Sequence, residues 1–513
     1  MVSLTIDGQA VVVPEGTNLI EAAATIGIEI PHFCYHPCLS VVGNCRMCQV
    51  EVAKAPKLMI ACHTLAAEGM EVHTHHSSQA VRDAQAAVLE FLLINHPLDC
   101  TVCDQAGQCK LQDMYFKYSK KNSRFNEEKE RKQKALPLGK NIIYDAERCI
   151  KCSRCIRFCR EITQTAELGM LNRGDATYVA VTEGRELDNP FSGCVADLCP
   201  VGALTHRKWR FKSRSWLAKE VDTICLGCSS TCACTVSIRD GEVVQVKGRS
   251  NELKNNEWLC DEGRYGFDRF LPKERLHAPY KNGKALALED ALTALQEIGS
   301  KPLVAFFSAD LTLEEYYLWK KYLDAAAKLY VPAVAIAGTG TKGVGVLQDF
   351  IAKDGAANLR SAERVGLISG DAREHYINTL KKFENGVYQR GIFIGDRAIL
   401  PKDIDDALLE AVSKLELSVA ILCNAKSPLL SQLKVVLPGR SAFEKSGSVI
   451  NRDGIVQSLT RIVSPAAGTL AEWQYANLLA LQYGRGYLDV KSDEELHDYL
   501  MQNESRLFEG QSA

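Results

Sequence analysis

Cysteine is the residue that most constrains this chain. The sequence contains 20 cysteines, and all but one of them lie at or before Cys260, with Cys423 standing alone after it. In a reducing compartment such a concentration of cysteine favours metal ligation over disulfides. The spacing of the cysteines therefore decides which metal centres we expect.

The remaining composition is that of an ordinary globular protein. The 513 residues are 46% hydrophobic and 24% charged, which excludes a chain that is disordered or coiled coil as a whole. Lys and Arg number 61 against 63 Asp and Glu, so nucleic-acid binding has little electrostatic support. No apolar run approaches the roughly 18 residues of a membrane span. The N-terminus has neither a secretory nor a transit layout, which predicts a cytoplasmic protein with membrane contact only through partners.

The first cysteine set lies in a strand-rich region, residues 1–78. A hairpin turning at Asp7-Gly8, a helix N-capped by Thr17 and a strand over 47–52 predict a small β-grasp domain. A C-x2-C pair with one distant cysteine is how plant-type ferredoxins hold a 2Fe–2S cluster, although the first gap is ten residues here and about four there. A zinc site is the alternative. The predicted ligands are Cys34, Cys45, Cys48 and Cys62, and Cys38 is predicted not to bind.

The second set has the pattern H-x3-C-x2-C-x5-C and follows a helix predicted over 80–93. Three thiolates and one imidazole at short spacing can hold a 4Fe–4S cluster, and a neutral ligand is expected to raise its potential. Zinc is the main alternative on spacing alone, because it accepts the same ligand types. The predicted ligands are His96, Cys100, Cys103 and Cys109.

The third set is the C-x2-C-x2-C-x3-C run of bacterial ferredoxins, with Cys199-Pro200 downstream. In two-cluster ferredoxins the fourth cysteine of such a run serves the other cluster. A second cluster would need three more cysteines where this chain has Asn189, Ser192 and Val195, so Cys159 and Cys194 are predicted to ligate nothing. The predicted ligands of one 4Fe–4S cluster are Cys149, Cys152, Cys155 and Cys199, again with zinc as the alternative.

The fourth set is C-x2-C-x3-C-x27-C, with a hairpin predicted over 236–246 between the third and fourth cysteines. It resembles the 4Fe–4S domain at the start of molybdopterin oxidoreductases, and a zinc ribbon is the alternative. Cys234 lies outside the pattern. The predicted ligands are Cys225, Cys228, Cys232 and Cys260.

After about residue 275 the pattern changes to short apolar runs separated by helical stretches. This alternation predicts a parallel sheet covered by helices, with strands at 303–307, 334–336, 365–369, 392–394 and 419–422. A G-x-G-x-x-G pattern at 338–343 lacks a suitably placed acidic residue after the next strand, so it predicts an ordinary loop rather than a dinucleotide site.

The order of the four sets and their flanking residues carry a family resemblance, strong over residues 1–280 and faint beyond. The chain resembles the large, 75 kDa-type iron–sulfur subunit of respiratory complex I, NADH:quinone oxidoreductase. The residues that carry it are Phe33-Cys34-Tyr35-His36-Pro37, Gly43-Asn44-Cys45-Arg46-Met47-Cys48, His96-Pro97-Leu98-Asp99-Cys100, Arg148-Cys149-Ile150, Cys155-Ile156-Arg157-Phe158 and Leu198-Cys199-Pro200-Val201-Gly202-Ala203-Leu204.

The resemblance implies a multidomain α+β and α/β chain without substrate chemistry of its own. It implies a β-grasp 2Fe–2S ferredoxin-type domain (1–78), a His(Cys)3-ligated 4Fe–4S domain (79–118), a ferredoxin-like 4Fe–4S domain (140–215), a 4Fe–4S domain of the molybdenum/tungsten bis-MGD type (218–274) and a shortened, degenerate molybdopterin-oxidoreductase-like domain (275–513). One 2Fe–2S and three 4Fe–4S clusters would relay electrons from a flavin subunit toward quinone. The partners would be an NADH-binding flavin subunit and other peripheral-arm subunits, on the cytoplasmic side of the bacterial inner membrane.

No molybdopterin is expected, and two other functions stay open. Relatives that bind molybdenum carry a Lys just after the fourth ligand, where this chain has Glu262, and no cysteine occurs between Cys260 and Cys423 to ligate the metal. The first alternative is the electron-input subunit of an NAD-dependent formate dehydrogenase or hydrogenase, which shares the N-terminal modules. The second is a non-redox zinc scaffold.

Overall fold

The computed structural model describes residues 1–119, 122–298, 301–326, 330–336, 341–482 and 486–510. The chain divides into two units, each described by itself. The first unit is Met1–Ala218 together with Val344–Gln348, and the second is Lys219–Gly343 with Asp349–Ala513. The first three cysteine sets thus lie in the first unit and the fourth set in the second. A short piece of the region predicted as one C-terminal domain, Val344–Gln348, belongs to the first unit.

The first unit begins with a mixed sheet that, among the described residues, has five strands in the order β2-β1-β5-β3-β4. β1 is antiparallel to β2 and parallel to β5, and the short helix α1 buries its apolar side against them. The predicted hairpin is confirmed, since Asp7 and Gly8 both have the positive φ that a tight turn requires. This sheet agrees with the β-grasp prediction. The elements are β1 (Val2–Ile6), β2 (Gln9–Val13), α1 (Leu19–Ala24), β3 (Gln49–Val52), β4 (Met59–Ile60) and β5 (Met70–His73).

The rest of the first unit consists of short elements that carry cysteine loops between them. β6, β7 and β10 pair into a small antiparallel sheet, and β8 and β9 form a hairpin. The predicted helix before the second set is confirmed as α2. The elements are α2 (Gln79–Leu93), α3 (Lys110–Tyr118), β6 (Leu136–Pro137), β7 (Ile142–Tyr144), α4 (Arg154–Arg157), β8 (Leu168–Leu171), β9 (Tyr178–Val181), α5 (Cys194–Leu198) and β10 (Leu204–His206).

The second unit starts with an antiparallel sheet of β11 (Lys219–Ile224), β12 (Ala233–Arg239) and β13 (Glu242–Gly248), followed by α6 (Asp261–Tyr265). The predicted hairpin is confirmed, and Asp240 and Gly241 form its turn with positive φ. The four cysteines of the fourth set flank β11, β12 and α6.

A larger sheet forms the centre of the second unit, with the order β15-β14-β20-β19-β18-β16-β17 over the described residues. The five strands from β20 to β17 are parallel, which confirms the predicted parallel sheet. The elements are β14 (Tyr280–Lys281), β15 (Lys284–Ala285), α7 (Leu288–Glu297), β16 (Leu303–Phe307), α8 (Leu313–Ala326), β17 (Tyr330–Val334), α9 (Leu359–Arg364), α10 (Ala372–Glu384), β18 (Arg390–Ile394), α11 (Asp406–Lys414), β19 (Leu417–Leu422), β20 (Val435–Pro438), β21 (Gly447–Ile450), β22 (Val456–Leu459), α12 (Glu472–Gln482) and α13 (Asp493–Asn503).

Both faces of this sheet are buried because helices cover each side. Alternate residues of β16 point to opposite cores: Ala305 packs in the core that contains Trp319 of α8 and Trp473 of α12. Phe306 packs on the other side with Tyr376 of α10. A parallel sheet covered on both faces explains why its strands are continuous apolar runs.

Three local predictions were wrong. The run 365–369 is not a strand; it follows α9, where Gly366 has a positive φ and the Leu367 N–H donates to the Ala362 carbonyl, a helix-ending motif that turns the chain. α1 is capped by Asn18 rather than Thr17, since the Asn18 side chain accepts from the N–H groups of Ile20 and Glu21. The strand predicted at 334–336 lies at Tyr330–Val334 instead, so only Val334 was placed correctly.

The glycine-rich pattern is described only in part, because its residues 338–340 lie outside the described residues. No helix in the described part of the chain is both long enough and apolar enough to cross a bilayer.

Candidate iron–sulfur sites

The first set is brought together as two pairs of cysteines. The N–H of Cys34 donates to Sγ of Cys45 over 3.5 Å, and the N–H of Cys45 donates to Sγ of Cys34 over 3.4 Å. Cys48 precedes β3 and Cys62 follows β4, and the pairing of these strands sets the two residues side by side. A binuclear cluster takes two protein ligands on each iron, so this arrangement fits a 2Fe–2S cluster. Cys38 lies in the same loop and is partly exposed.

Within each pair one thiol stabilises the thiolate of the other. The side-chain hydrogen bond with Cys45 lowers the pKa of Cys34, and the charge of Arg157 adds to the effect. The hydrogen bond with Cys48 likewise lowers the pKa of Cys62. The same hydrogen bonds raise the pKa of Cys45 and of Cys48, so each pair favours one thiolate, the form that ligates iron.

The third set lines a single cavity. Lys151 and Ser153 have positive φ, which turns the loop so that its cysteines face one side, and α5 delivers Cys199 from the far side. Burial raises the pKa of Cys152 to about 11 and of Cys199 to about 12. The cavity walls carry all four predicted ligands: Cys149, Cys152, Cys155 and Cys199. The residues present therefore fit a 4Fe–4S cluster.

Cys159 and Cys194 are buried next to each other, away from the walls of that cavity. Burial raises the pKa of Cys159 above its ordinary value, and the neighbouring Glu167 carboxylate adds to the rise. The two buried side chains serve as packing groups in this position. That neither ligates a cluster stays a prediction.

Three residues of the second set come together around the start of α3. Cys100 opens a single turn, Cys103 closes it with an N–H bond to the Cys100 carbonyl, and Cys109 precedes α3. Cys103 and Cys109 are buried, whereas Cys100 is exposed. Burial raises the pKa of Cys103 and of Cys109. Arg214, which the sequence reasoning did not identify, donates to the Cys103 carbonyl over 2.6 Å and holds this loop.

His96 is suited to ligate a metal, but its place in this set stays a prediction. Burial lowers the pKa of His96 to about 4, which keeps the imidazole neutral, and its Nδ1 is buried without a hydrogen-bond partner among the described residues. A neutral imidazole is the ligating form. The ring lines a cavity that also contains Cys149 and Lys151, and the charges that act most on it are those of Asp99 and Arg148 rather than of the three cysteines.

The fourth set is buried throughout. Cys225 ends β11 and Cys232 precedes β12, joined by a bond from the Cys225 N–H to the Cys232 carbonyl. Cys260 caps α6, and a Cβ at Gly263 would lie 2.8 Å from Sγ of Cys225, so only glycine lets this helix approach so closely. Burial raises the pKa of every member of the set. Cys234 points from β12 beside Cys232, and Cys423 lies elsewhere, donating to Asp396.

Buried arginines connect the first set to the third. The Arg157 guanidinium donates to the carbonyls of Cys34, over 2.5 Å, and of Cys152, over 3.4 Å. Arg154 donates to the Tyr35 carbonyl. The Asn44 amide donates to the Lys151 carbonyl over 2.7 Å. The two cysteine loops therefore pack directly on each other.

The third set is connected in turn to the second. Arg148, which precedes Cys149, forms an ion pair of 2.7 Å with Asp99, which precedes Cys100. The Lys110 N–H, just after Cys109, donates to the Pro200 carbonyl, just after Cys199, over 3.0 Å. A Cβ at Gly202 would overlap Sγ of Cys103. Arg148, Asp99, Lys110 and Pro200 each flank a cysteine, and that adjacency was a signal that could have identified them; Gly202 lies three residues after Cys199.

Among the described residues, no group of three or more His, Cys, Asp or Glu side chains is arranged to hold one metal ion. A cluster of two or four irons separates its thiolates more widely than a single ion does.

Gly202 provides a test of this packing. Gly202→Ala should destabilise the first unit by about 1–3 kcal/mol, because the added methyl overlaps Cys103 in a packed interior, and should change the paramagnetic resonance signal of the second cluster. Thermal unfolding and the spectra of reduced protein measure the two effects. Gly169→Ala is the matched control, since a Cβ at Gly169 meets nothing within 4 Å. Equal behaviour of both variants would contradict the close approach of the two loops.

Comparison with protein families gives four matches, in chain order and without overlap. They are a 2Fe-2S iron-sulfur cluster binding domain at residues 1–77, the NADH-ubiquinone oxidoreductase-G iron-sulfur binding region at 85–124, the NADH-quinone oxidoreductase subunit 3 ferredoxin-like domain at 139–205 and the molybdopterin oxidoreductase Fe4S4 domain at 218–271. Each match contains one of the four cysteine sets.

The curated relatives of this chain are named as subunits of NADH-quinone or NADH-ubiquinone oxidoreductases. The G-type subunit of NADH-quinone oxidoreductase from Rickettsia bellii is 40% identical over 332 residues, which cover 63% of this chain and 48% of the relative. Its counterpart from Streptomyces coelicolor is 38% identical over 335 residues, 64% of this chain and 40% of the relative. The NADH-ubiquinone oxidoreductase 75 kDa subunit of Reclinomonas americana is 38% identical over 344 residues, 64% of this chain and 49% of the relative. The chain thus spans about half the length of these relatives or less.

A solved structure of an NAD+-reducing nickel–iron hydrogenase in the H2-reduced state matches 41% of this chain and 90% of its own, with 27% identity and a TM-score of 0.38. The curated relatives and the family matches confirm the resemblance to the large iron–sulfur subunit of NADH:quinone oxidoreductase that the sequence motifs indicate.

Proposed function

We propose that this chain is the electron-relay iron–sulfur subunit of an NADH:quinone oxidoreductase, passing electrons from a flavin subunit toward quinone. The observation that carries the proposal is the set of four cysteine groups. Each lies within a match to an iron–sulfur domain, and the first three are tied together by buried contacts. The relatives are named as subunits of such an oxidoreductase.

The proposed ligands are those predicted from the sequence, and the proposed domains keep the predicted boundaries. Cys34, Cys45, Cys48 and Cys62 would hold a 2Fe–2S cluster. The other three sets, with His96 as the one imidazole, would each hold a 4Fe–4S cluster. A bound cluster supplies a site that accepts and releases single electrons.

The contacts within the first unit give the relay an order that differs from the order along the chain. The third set touches the first through Arg157 and the second through the Arg148–Asp99 ion pair. Electrons that enter at the first set would pass to the third and then to the second. The protein holds these loops at fixed separations, which is its main contribution to transfer between centres.

The chain's own residues also set the environment of each centre. Backbone N–H groups of Phe33, Cys34 and Cys45 donate to the sulfurs of the first set. Gly227 and Gly263 do the same in the fourth. Hydrogen bonds to sulfur and burial from water are the levers by which a protein adjusts a cluster's potential.

The proposed partners are a flavin- and NADH-binding subunit and other peripheral-arm subunits. The proposed location is the cytoplasmic side of the bacterial inner membrane, with membrane contact only through those partners. Residues 275–513 would serve as a degenerate molybdopterin-type domain that binds no pterin. The alternative remains the electron-input subunit of a formate dehydrogenase or hydrogenase.

The metal content distinguishes iron–sulfur clusters from a zinc scaffold. One 2Fe–2S and three 4Fe–4S clusters require about 14 iron atoms per chain, with as much sulfide. Elemental analysis of anaerobically purified protein should approach this value, without molybdenum or tungsten. Stoichiometric zinc with little iron would contradict the proposal, and stoichiometric molybdenum or tungsten would favour the formate dehydrogenase alternative.

Substitution of His96 tests the ligand of the second cluster. His96→Cys should lower the potential of one 4Fe–4S cluster, because a thiolate adds negative charge, whereas His96→Ala should weaken or remove its signal. Redox titration followed by paramagnetic resonance measures both. His76→Ala is the control, since His76 is exposed and outside every cysteine set. If His96→Ala left all signals and potentials unchanged, His96 would not be a ligand.

The relay function is tested by isolating the tagged chain anaerobically from detergent-solubilised membranes of its host. A flavoprotein should co-purify, and NADH should reduce the clusters of the assembly but not those of the isolated chain. Formate and hydrogen are tested in parallel. Reduction by either of them without reduction by NADH would replace the proposal with its alternative.

A further inference from the structure

A cavity lies in the second unit, away from the predicted ligands. It is formed where the neighbouring strands β16 and β18 end. The direction in which strands are added reverses between them: the chain runs from β16 outward to β17 on one side, and from β18 through β19 to β20 on the other. Ligands of open α/β sheets bind in the crevice at this point, beyond the carboxyl ends of the strands.

The crevice is narrow at its base because Gly395 lets two loops approach each other closely. Gly395 directly follows β18 and has a φ of +88°, and a Cβ there would lie 2.6 Å from Cβ of Ser308, which directly follows β16. The loops after the two strands therefore meet closely. Asp310 and Arg397 extend from these loops into the wall of the cavity, and Arg440 and Ser441 enter from the loop after β20.

Three side chains of the cavity wall have hydrogen-bond donors without partners in the described structure. Arg397 forms no hydrogen bond and no ion pair there, although burial lowers the pKa of its guanidinium. The Nε of Arg440 is buried and unpartnered. Ser441 is 3% exposed, and its hydroxyl has no partner either. Buried donors without acceptors are costly, so a wall that collects three of them is incomplete without a further acceptor.

Two other cationic groups of the wall have ion-pair partners. Lys445 pairs with Glu315 at 2.7 Å and with Glu472 at 2.8 Å. Arg269 pairs with Glu262 at 3.1 Å.

The two aspartates that face the cavity are engaged as well. Asp396 accepts from the N–H groups of Cys423, over 2.7 Å, and Asn424, over 3.0 Å, while Asp310 accepts from the Ser308 hydroxyl. Among the described residues, the groups of the wall that lack a hydrogen-bond partner are therefore donors: two guanidinium groups and one hydroxyl.

We propose that this cavity binds a phosphate group, through Arg397, Arg440 and Ser441. A guanidinium presents a planar fork that matches phosphate oxygens in pairs. Phosphate presents at least three acceptor oxygens, so it can accept from two guanidinium groups and one hydroxyl at once, whereas a carboxylate presents two. The site needs no iron–sulfur cluster and does not depend on the proposed relay function.

The test is isothermal titration calorimetry of the full-length, anaerobically purified protein in a phosphate-free buffer. The titrants are inorganic phosphate, AMP and acetate. We expect saturable binding of phosphate or AMP with a single class of sites, and at least roughly tenfold weaker binding of acetate. Tighter binding of phosphate identifies the free ion as the ligand, and tighter binding of AMP identifies a phosphate monoester. No saturable binding, or equal binding of acetate, would overturn the proposal.

Variants place the binding in the cavity. Arg397→Gln with Arg440→Gln should abolish saturable binding, and Ser441→Ala should weaken it several-fold. Arg373→Gln, on the exposed surface of α10, is the matched control and should bind as the unaltered chain does. Thermal unfolding checks that each variant is folded. If the double variant is not, Arg440→Lys, which keeps the charge but loses the fork, should still weaken binding. Undiminished binding in the folded cavity variants would put the anion elsewhere and overturn the assignment.

Discussion

The buried guanidinium of Arg157 is the contact on which the arrangement of the first unit depends. Its side chain is 1% exposed and donates to carbonyl oxygens of both the first and the third cysteine loops. A buried charge without partners costs several kcal/mol, so the two loops have to meet where this side chain is satisfied. Its positive charge helps to lower the pKa of Cys34. It acts in the same direction on Cys152, but burial has the larger effect there and the pKa of Cys152 is raised. A residue that ligates nothing thus sets the separation of two proposed centres and offsets part of their negative charge.

The sequence grouped cysteines that the structure brings close together, but it did not predict the contacts between the groups. Closely spaced cysteines such as Cys149 and Cys155 belong to a single short segment, so their spacing in the sequence already indicates that they lie side by side. Cys199 was found because the motif pairs a distant cysteine with proline. By contrast, Arg157 and Gly202 act across more than 90 residues on main-chain and sulfur atoms, and no local pattern specifies such partners. The strand predicted at 365–369 was wrong for a different reason. The apolar run is typical of a strand, but the positive φ of Gly366, just after α9, turns the chain there.

The second unit differs from the first because its central sheet is buried on both faces. Its charged side chains are therefore found mainly at the ends of the strands. Thr312 and Glu315 cap α8 reciprocally, and Glu315 also binds Lys445, which in turn binds Glu472. This buried network links the loop after β16 to the start of α12. Burial would lower the pKa of Lys445, but the two carboxylates outweigh it and raise the value. The polar groups of the unit therefore collect at the carboxyl edge of the sheet, where a cavity follows from the topology rather than from any sequence motif.

The sulfur environments of the first set and of the third and fourth sets differ for reasons that lie in the main chain. In the first set, neighbouring thiols share hydrogen bonds, and these lower the pKa of one member of each pair. In the third and fourth sets burial is the largest cause, and it raises the pKa of Cys152, Cys199 and Cys225. Metal binding requires thiolates and releases protons from any thiol that is still protonated. The protons released on loading therefore depend on the loop as well as on the ligand residue, which is cysteine in all three sets. What distinguishes the centres is the loop that surrounds each of them.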